Sequence, residues 1–372
     1  MLRTNVLVIG GGPAGAIAAM TLARGNIDTV LAEKSFSYVK PCGGGVPSTA
    51  FSEFQLPSAC VARYVNTIKI ISPSGDVVPI GLHGAAIAIV SRGEFDSCLR
   101  AEAGRSGAQI VEAEFRQFAH IGRTISAEVL MEGRPVTIEA DYVIAADGVN
   151  SRVRAALRMK PVPSLLALVE KIPEEEADSC EFWFGSSHAP RLYSWVFPQK
   201  EGISLGTGAI DPREIKTKWQ RFCERRALHH SLSLPPGRSR AVRGYRIPLW
   251  KGDLYGRGRI LFAGDSAGQV LPLTYEGIYY AMKSGELAAR AAIAGKERSY
   301  KRLWERAFCK RFSLMKHLWE YFLKNDSRSE RLVQLHKRPE VQEASMRLWL
   351  RKDRERGSLI SYRNIFRGLL NE

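Results

Sequence analysis

Three stretches of the chain carry side chains able to do chemistry. Lys40-Pro41-Cys42-Gly43-Gly44-Gly45-Val46-Pro47 sets one thiol in a glycine run between prolines. Regular structure does not hold such a run, so it is either backbone kept close to a ligand or a surface linker. Cys42 there could donate a proton or wall a site with a polarisable atom; a small buried thiol is the plain alternative. The stretch from Pro272 to Gly277 adds Tyr275 and Glu276, a phenol and a carboxyl that compete for the proton-donating role, although Glu276 could equally cap a helix starting after Gly277. Asp147 and Asp265 each follow a short apolar run and adjoin glycine. That puts a carboxylate and pliable backbone beyond the carboxyl end of a strand, where ligands of open α/β sheets bind; an Asx turn is the alternative for each alone.

Elements that could position these groups are readable around them. Residues 5–9 (NVLVI) form a continuously apolar, β-branched run, as a strand buried on both faces requires. Gly10-Gly11-Gly12-Pro13-Ala14-Gly15 then satisfies G-x-G-x-x-G, an alanine-rich helix follows, and a second apolar run ends in Glu33. Gly10, Gly12 and Gly15 allow a tight turn and close approach to a pyrophosphate, which the helix N-terminus at Pro13 and Ala14 would receive. Glu33 can accept from a ribose hydroxyl and would repel a 2′-phosphate, so FAD or NAD is expected rather than NADP. In mid-chain, Pro190 to Pro198 alternates aromatics with period two. This places Tyr193, Trp195 and Phe197 on one strand face, as a pocket wall or as ordinary core, before Pro198 and the glycine-containing run through Gly206.

Composition bounds the rest. Of 372 residues, 45% are hydrophobic and 25% charged, an ordinary globular balance. No apolar run is long enough for a membrane span, and the opening residues read as a first strand rather than a signal peptide. Six cysteines without CxxC pairs argue against a zinc ribbon or disulfide framework and suit a reducing cytoplasmic setting, and seven histidines show no metal spacing. The net charge is +16, and from Lys296 onward 20 basic face 10 acidic side chains. Without a nucleic-acid-binding signature, that bias points to an anionic surface or substrate. Residues 300–323 repeat Leu303, Trp304, Phe308, Phe312, Leu318, Trp319 and Phe322 at helical spacing, either a docked helix with a solvated basic face or an interfacial one giving peripheral contact at the inner membrane.

The glycine fingerprint, the Asp147 segment and the Asp265 segment together resemble the three FAD fingerprints of the para-hydroxybenzoate-hydroxylase-type flavoproteins. PCGGG, PxxYxWxFP and GDSAGQVLPLTYEGIYYAMKSGELAA, in that order, are similar to the marks of the geranylgeranyl reductase family, and residues 40–115 are nearest its chlorophyll and bacteriochlorophyll branch. The TYEGI following Leu273 departs from the SGEGI of the plant-like branch.

The resemblance implies an α/β architecture: a Rossmann-like FAD domain (residues 1–75, 92–160 and 256–295) interwoven with a mixed-sheet substrate domain (76–91 and 161–255), then a basic helical region (296–372). It implies cofactor contacts at Glu33, Lys34, Cys42, Gly43, Gly44, Arg92, Asp147, Gly264, Asp265, Gly277 and Ile278, with Asp265 on the ribityl chain. Tyr193, Trp195, Phe197, Pro198 and Gly206 would line the substrate, and Cys42, Tyr275 and Glu276 stand as catalytic candidates. The implied reaction is saturation of C=C bonds in a geranylgeranyl group, as diphosphate or pigment ester, with NADPH as donor. A monooxygenase or halogenase of the same fold and a non-catalytic prenyl escort are the rivals.

Overall fold

A computed structural model of the protein describes residues 2–230, 242–252 and 255–352. The chain divides into two compact units. One comprises Met1–Lys40, Gly93–Ser164 and Arg246–Ser313, the other Pro41–Arg92, Leu165–Tyr245 and the chain from Leu314 onward.

The first unit is built on a parallel sheet. Leu2–Ile9 lies between Thr29–Glu33 and Arg134–Ala145, with Val6 opposite both Thr29 and Tyr142. Gln109–Ile121 and Ile260–Phe262 extend the parallel order on either side, and Ile125–Met131 joins the two long strands as an antiparallel meander. Val6, Leu7, Val8 and Ile9 are all buried. Both faces of this strand are covered, which is why its sequence is a continuous apolar run rather than an alternation. Each such side chain contributes about 1.5–3 kcal/mol by leaving water. Helices Pro13–Arg24 and Ile278–Ile293 pack through alanine and glycine, so closely that a methyl on Gly285 would stand 2.0 Å from the Ala14 carbonyl oxygen.

The second unit holds a mixed seven-stranded sheet in the order Arg243–Pro248, Ser164–Ile172, Ile203–Ala209, Ser194–Pro198, Cys180–Trp183, Thr67–Ile71, Val77–Gly81. Helix Ile215–His230 contributes Phe222 to a core with Ile71, Trp183, Val196, Ile203 and Leu205 on one sheet face. A small sheet of Gly45–Pro47, Ile87–Ile89 and Arg63–Val65 completes it.

Two expectations are corrected. Residues 41–75 group with the second unit, because Gly45–Pro47 and Arg63–Val65 pair with Ile87–Ile89, and Thr67–Ile71 pairs with Cys180–Trp183. The region after residue 295 is not separate: Glu297–Trp304 groups with the first unit and helix Pro339–Trp349 with the second. Its aromatic stripe is core, with Trp304 fully buried against Tyr280, Phe308 and Phe312, while the Trp319 indole donates to the Arg191 carbonyl at 2.8 Å. The tryptophans that suggested an interfacial helix therefore already have protein partners. Cys42, Cys180, Cys223 and Cys309 are free thiols. No helix among the described residues is long and apolar enough to cross a membrane. Whether Leu348 to Leu370 forms one helix or two, with Gly357 as a break, is left open by the sequence, and residues 353–370 lie outside the described residues.

Candidate flavin site and aromatic wall

In the first unit the glycine turn has the geometry its spacing predicts. Gly10 has φ +104°, and a Cβ on it would lie 2.4 Å from the Ala146 carbonyl oxygen; one on Gly15 would lie 1.8 Å from the Gly10 oxygen. No other residue fits these two positions. Gly12 differs: a Cβ there meets nothing within 4 Å, and Gly12 occupies the N-cap of helix Pro13–Arg24 without any side-chain cap. The Ala14 and Gly15 amides therefore meet no capping side chain at the positive end of the helix dipole. Glu33 is fixed at the mouth of the turn, accepting from Gly11 N at 2.5 Å and Ser35 N at 3.2 Å. Lys34 sits beside it with its ammonium 5.0 Å from the centre of the Tyr38 ring. The buried Arg100, which the sequence reading missed, donates to the Gly11 carbonyl at 3.3 Å and stacks on Phe36.

The two later carboxylates stand at the strand ends expected of them. Asp147 follows strand Arg134–Ala145; its Oδ2 accepts from Val153 N at 3.0 Å, while Oδ1 is sealed from solvent without a partner. Burial raises its pKa above the ordinary carboxylate value. Asp265 follows Ile260–Phe262 and pairs with the Lys40 ammonium at 2.5 Å. Gly277 is the N-cap of helix Ile278–Ile293, again without a side-chain cap, and a methyl on it would stand 3.9 Å from Asp265 Oδ1. A second bare helix N-terminus is thus close to Asp265, and Glu276 does not occupy the capping position. The loop before it is strained, with Leu273 at φ +72° and Tyr275 at φ +51°, and is closed by Tyr275 N to Leu271 O and Leu271 N to Glu276 O, both 3.0 Å. Left-handed backbone at such bulky residues costs about 1–3 kcal/mol apiece and clusters at functional sites. Glu276 is buried and its charge adds to burial in raising the Tyr280 pKa.

In the second unit the thiol loop and the aromatic strand come together. Val196 turns into the core, while Trp195 and Phe197 stand half-buried on the opposite face, so the aromatics are a wall and not core. The glycine loop lies flush on them. A Cβ on Gly43 would meet Phe197 Cδ2 at 2.9 Å and Trp195 Nε1 at 3.1 Å, and one on Gly45 would meet Phe197 Cε2 at 2.9 Å. Gln199, also missed, donates to the Gly43 and Pro198 carbonyls at 3.0 Å each. The linker alternative for this loop is excluded by that packing. Cys42 is half-buried, its Sγ accepting from Gly44 N at 3.4 Å. Phe182 completes the wall, its ring centre 5.1 Å from Tyr193, 5.3 Å from Phe197 and 5.6 Å from Trp349. Trp195 lies across Gly206, where a Cβ would stand 1.9 Å from its Cζ2. Gly206→Ala should therefore displace the indole and cost about 1–3 kcal/mol as overpacking, visible as a lowered Tm. Arg92, expected near the cofactor, is buried at the start of helix Arg92–Arg105.

Beneath the wall, on the core side, Ser194 Oγ donates to Thr207 Oγ1 at 2.7 Å, and Thr207 Oγ1 to the His188 carbonyl at 2.8 Å. His188 Nδ1, 2.8 Å from Ser194 Oγ, must then be the protonated nitrogen. Burial, aided by the Arg225 charge, pushes this imidazole down to about 4. The unfolded chain takes up the proton near pH 6.5, so stability is full above that, falls by up to about 1.4 kcal/mol per pH unit as pH drops towards 4, and levels off below. His188→Gln should flatten that slope in denaturant titrations between pH 7 and 5.

Comparison with known proteins agrees with this geometry. Two FAD binding domain models match, over residues 60–294 and 5–48. The chain therefore belongs to the FAD-binding flavoproteins. A chloroplastic geranylgeranyl diphosphate reductase of Arabidopsis thaliana is 32% identical over 94% of this chain and 81% of its own length. A digeranylgeranylglycerophospholipid reductase of Methanocaldococcus jannaschii is 33% identical over 77% and 76%. Within the flavoproteins, the chain is a member of the geranylgeranyl reductase family. The fold is shared with a geranylgeranyl bacteriochlorophyll reductase-like protein of Thermoplasma acidophilum, at a TM-score of 0.83 and 22% identity over 100% of this chain and 99% of that one.

FAD fits the residues present. The open approach at Gly12, the bare N-termini at Pro13 and Ile278, and the carboxylates of Glu33 and Asp265 offer amides to phosphate and acceptors to hydroxyls.

Proposed function

We propose that the protein is an FAD-dependent reductase that saturates C=C bonds of a geranylgeranyl chain with electrons from NADPH. The observation that carries this reading is the Cys42 loop lying flush on the Trp195–Phe197 face, a thiol-bearing backbone against an apolar wall outside the core. When bound, FAD supplies hydride at its N5. An isolated alkene has no carbonyl to accept developing charge, so the chain must deliver a proton to the neighbouring carbon. Cys42 Sγ is the proposed donor, with Glu276 and Tyr275 its competitors; saturation of one bond requires one proton. Gly10, Gly12, Pro13, Ala14, Gly15, Glu33 and Lys34 hold the adenosine and pyrophosphate, and Gly264, Asp265, Gly277 and Ile278 the ribityl end. Asp147 belongs to the same shell.

The wall binds a prenyl tail by burial at ~25 cal/mol per Å², which has no register, so the chain can slide and present successive bonds. Selectivity then rests with the headgroup, a diphosphate or an esterified pigment; the relatives' names also include a glycerophospholipid. The test is anaerobic turnover. A reductase consumes one reduced donor per bond without oxygen, whereas a hydroxylase or halogenase of this fold stops when oxygen is removed. A protein that binds the prenyl chain but purifies without FAD and takes none up would be an escort instead.

A further inference from the structure

Helix Glu297–Trp304 carries none of the cofactor or catalytic candidates named from the sequence, yet it reaches the flavin site through one hydroxyl. Tyr300, in helix Glu297–Trp304, is fully buried, and its OH donates to the Phe262 carbonyl at 2.8 Å. Gln269 Nε2 donates to the Tyr300 hydroxyl oxygen at 3.0 Å, and Gly264 N donates to Gln269 Oε1 at 2.9 Å and to Ser284 Oγ at 2.8 Å. The donors form one directed chain: Gly264 amide to Gln269, Gln269 amide to Tyr300, Tyr300 hydroxyl to Phe262. Its ends are the last residue of strand Ile260–Phe262 and the first of the turn that presents Asp265. From the other side the buried Arg154 donates to the Ser266 carbonyl at 3.1 Å, and Ser266 Oγ to the Ala145 carbonyl at 2.7 Å. Gly264 stands at φ +68°, so this turn needs such bracing to hold one orientation.

We infer that Tyr300 is a positioning residue for the flavin site, fixing the direction of the Asp265 carboxylate through Gln269 and the Phe262 carbonyl. The inference rests on the FAD reading above and adds a role for the C-terminal segment. The ring of Tyr300 packs in an aromatic core with Tyr255, so Tyr300→Phe removes the hydroxyl alone and leaves the buried Gln269 amide without its acceptor.

The test measures FAD dissociation constants by flavin fluorescence and Tm of the cofactor-free protein for wild type, Tyr300→Phe, Gln269→Leu, the double variant, and Phe312→Leu as a core change that does not touch the turn. Tyr300→Phe is expected to weaken FAD binding about tenfold, as loss of one buried hydrogen bond implies. The double variant should bind no worse than the weaker single one, because both cut the same chain. Phe312→Leu should lower Tm with FAD affinity unchanged. Wild-type affinity in Tyr300→Phe, additive losses in the double variant, or equal loss of affinity in Phe312→Leu would each overturn the inference. Failure of wild type itself to bind FAD would instead sink the cofactor reading.

Discussion

Gly12→Asp abolishes FAD binding by at least about 100-fold, while the cofactor-free protein melts no lower than wild type. The two halves of this expectation have different causes. A side chain at residue 12 enters open space, and the position is an extended N-cap, with φ −75° and ψ −174°. Aspartate is among the best N-cap residues and adds negative charge to the positive end of the helix, so the fold loses nothing and gains a few tenths of a kcal/mol. The same carboxylate stands where a pyrophosphate would approach, and like charges in a partly buried site cost several kcal/mol. Fluorescence titration with FAD and calorimetry of the cofactor-free protein measure the two halves separately. FAD affinity within threefold of wild type would mean that the cofactor does not use this turn.

Cys42→Ala lowers turnover by about 100-fold or more at unchanged FAD content, the range lost when a general acid is removed. The thiol accepts from Gly44 N within its own loop, so alanine fits without disturbing the packing on Phe197. Single-turnover reduction of a prenyl substrate by pre-reduced enzyme is the measurement, since it isolates the chemical step from donor binding. The competing outcome is equally definite. If Cys42→Ala turns over normally and Glu276→Gln does not, the proton comes from the strained loop before helix Ile278–Ile293.

The parts of this molecule that were legible in sequence are those where local chemistry permits one solution. A β-branched run into Gly10 and Gly15 admits only the strand–turn–helix found, because any other residue at those glycines would collide with backbone. The period-two aromatics correctly put Trp195 and Phe197 on one face, but only the sheet shows that Val196 faces the core and the rings do not. What the sequence hid is long-range. Arg100, Gln199 and Tyr300 act through backbone carbonyls far along the chain, and nothing in their neighbours marks them. The tail stayed open in sequence for a related reason: alternating aromatics and cations suit both a bilayer surface and a buried stripe, and the packing of Trp304 among Tyr280, Phe308 and Phe312 shows the docked alternative. The unit boundary near Lys40 was missed because strand pairing, not composition, assigns residues 41–75.

The claim that most of this depends on is that the protein reduces isolated prenyl double bonds. Purified protein, loaded with FAD and reduced with dithionite without oxygen, should convert geranylgeranyl diphosphate or a geranylgeranylated pigment into products heavier by two mass units per step, up to full saturation of the reducible bonds. Substrate recovered at its original mass from both incubations, with the flavin bound and fully reduced, would contradict the account.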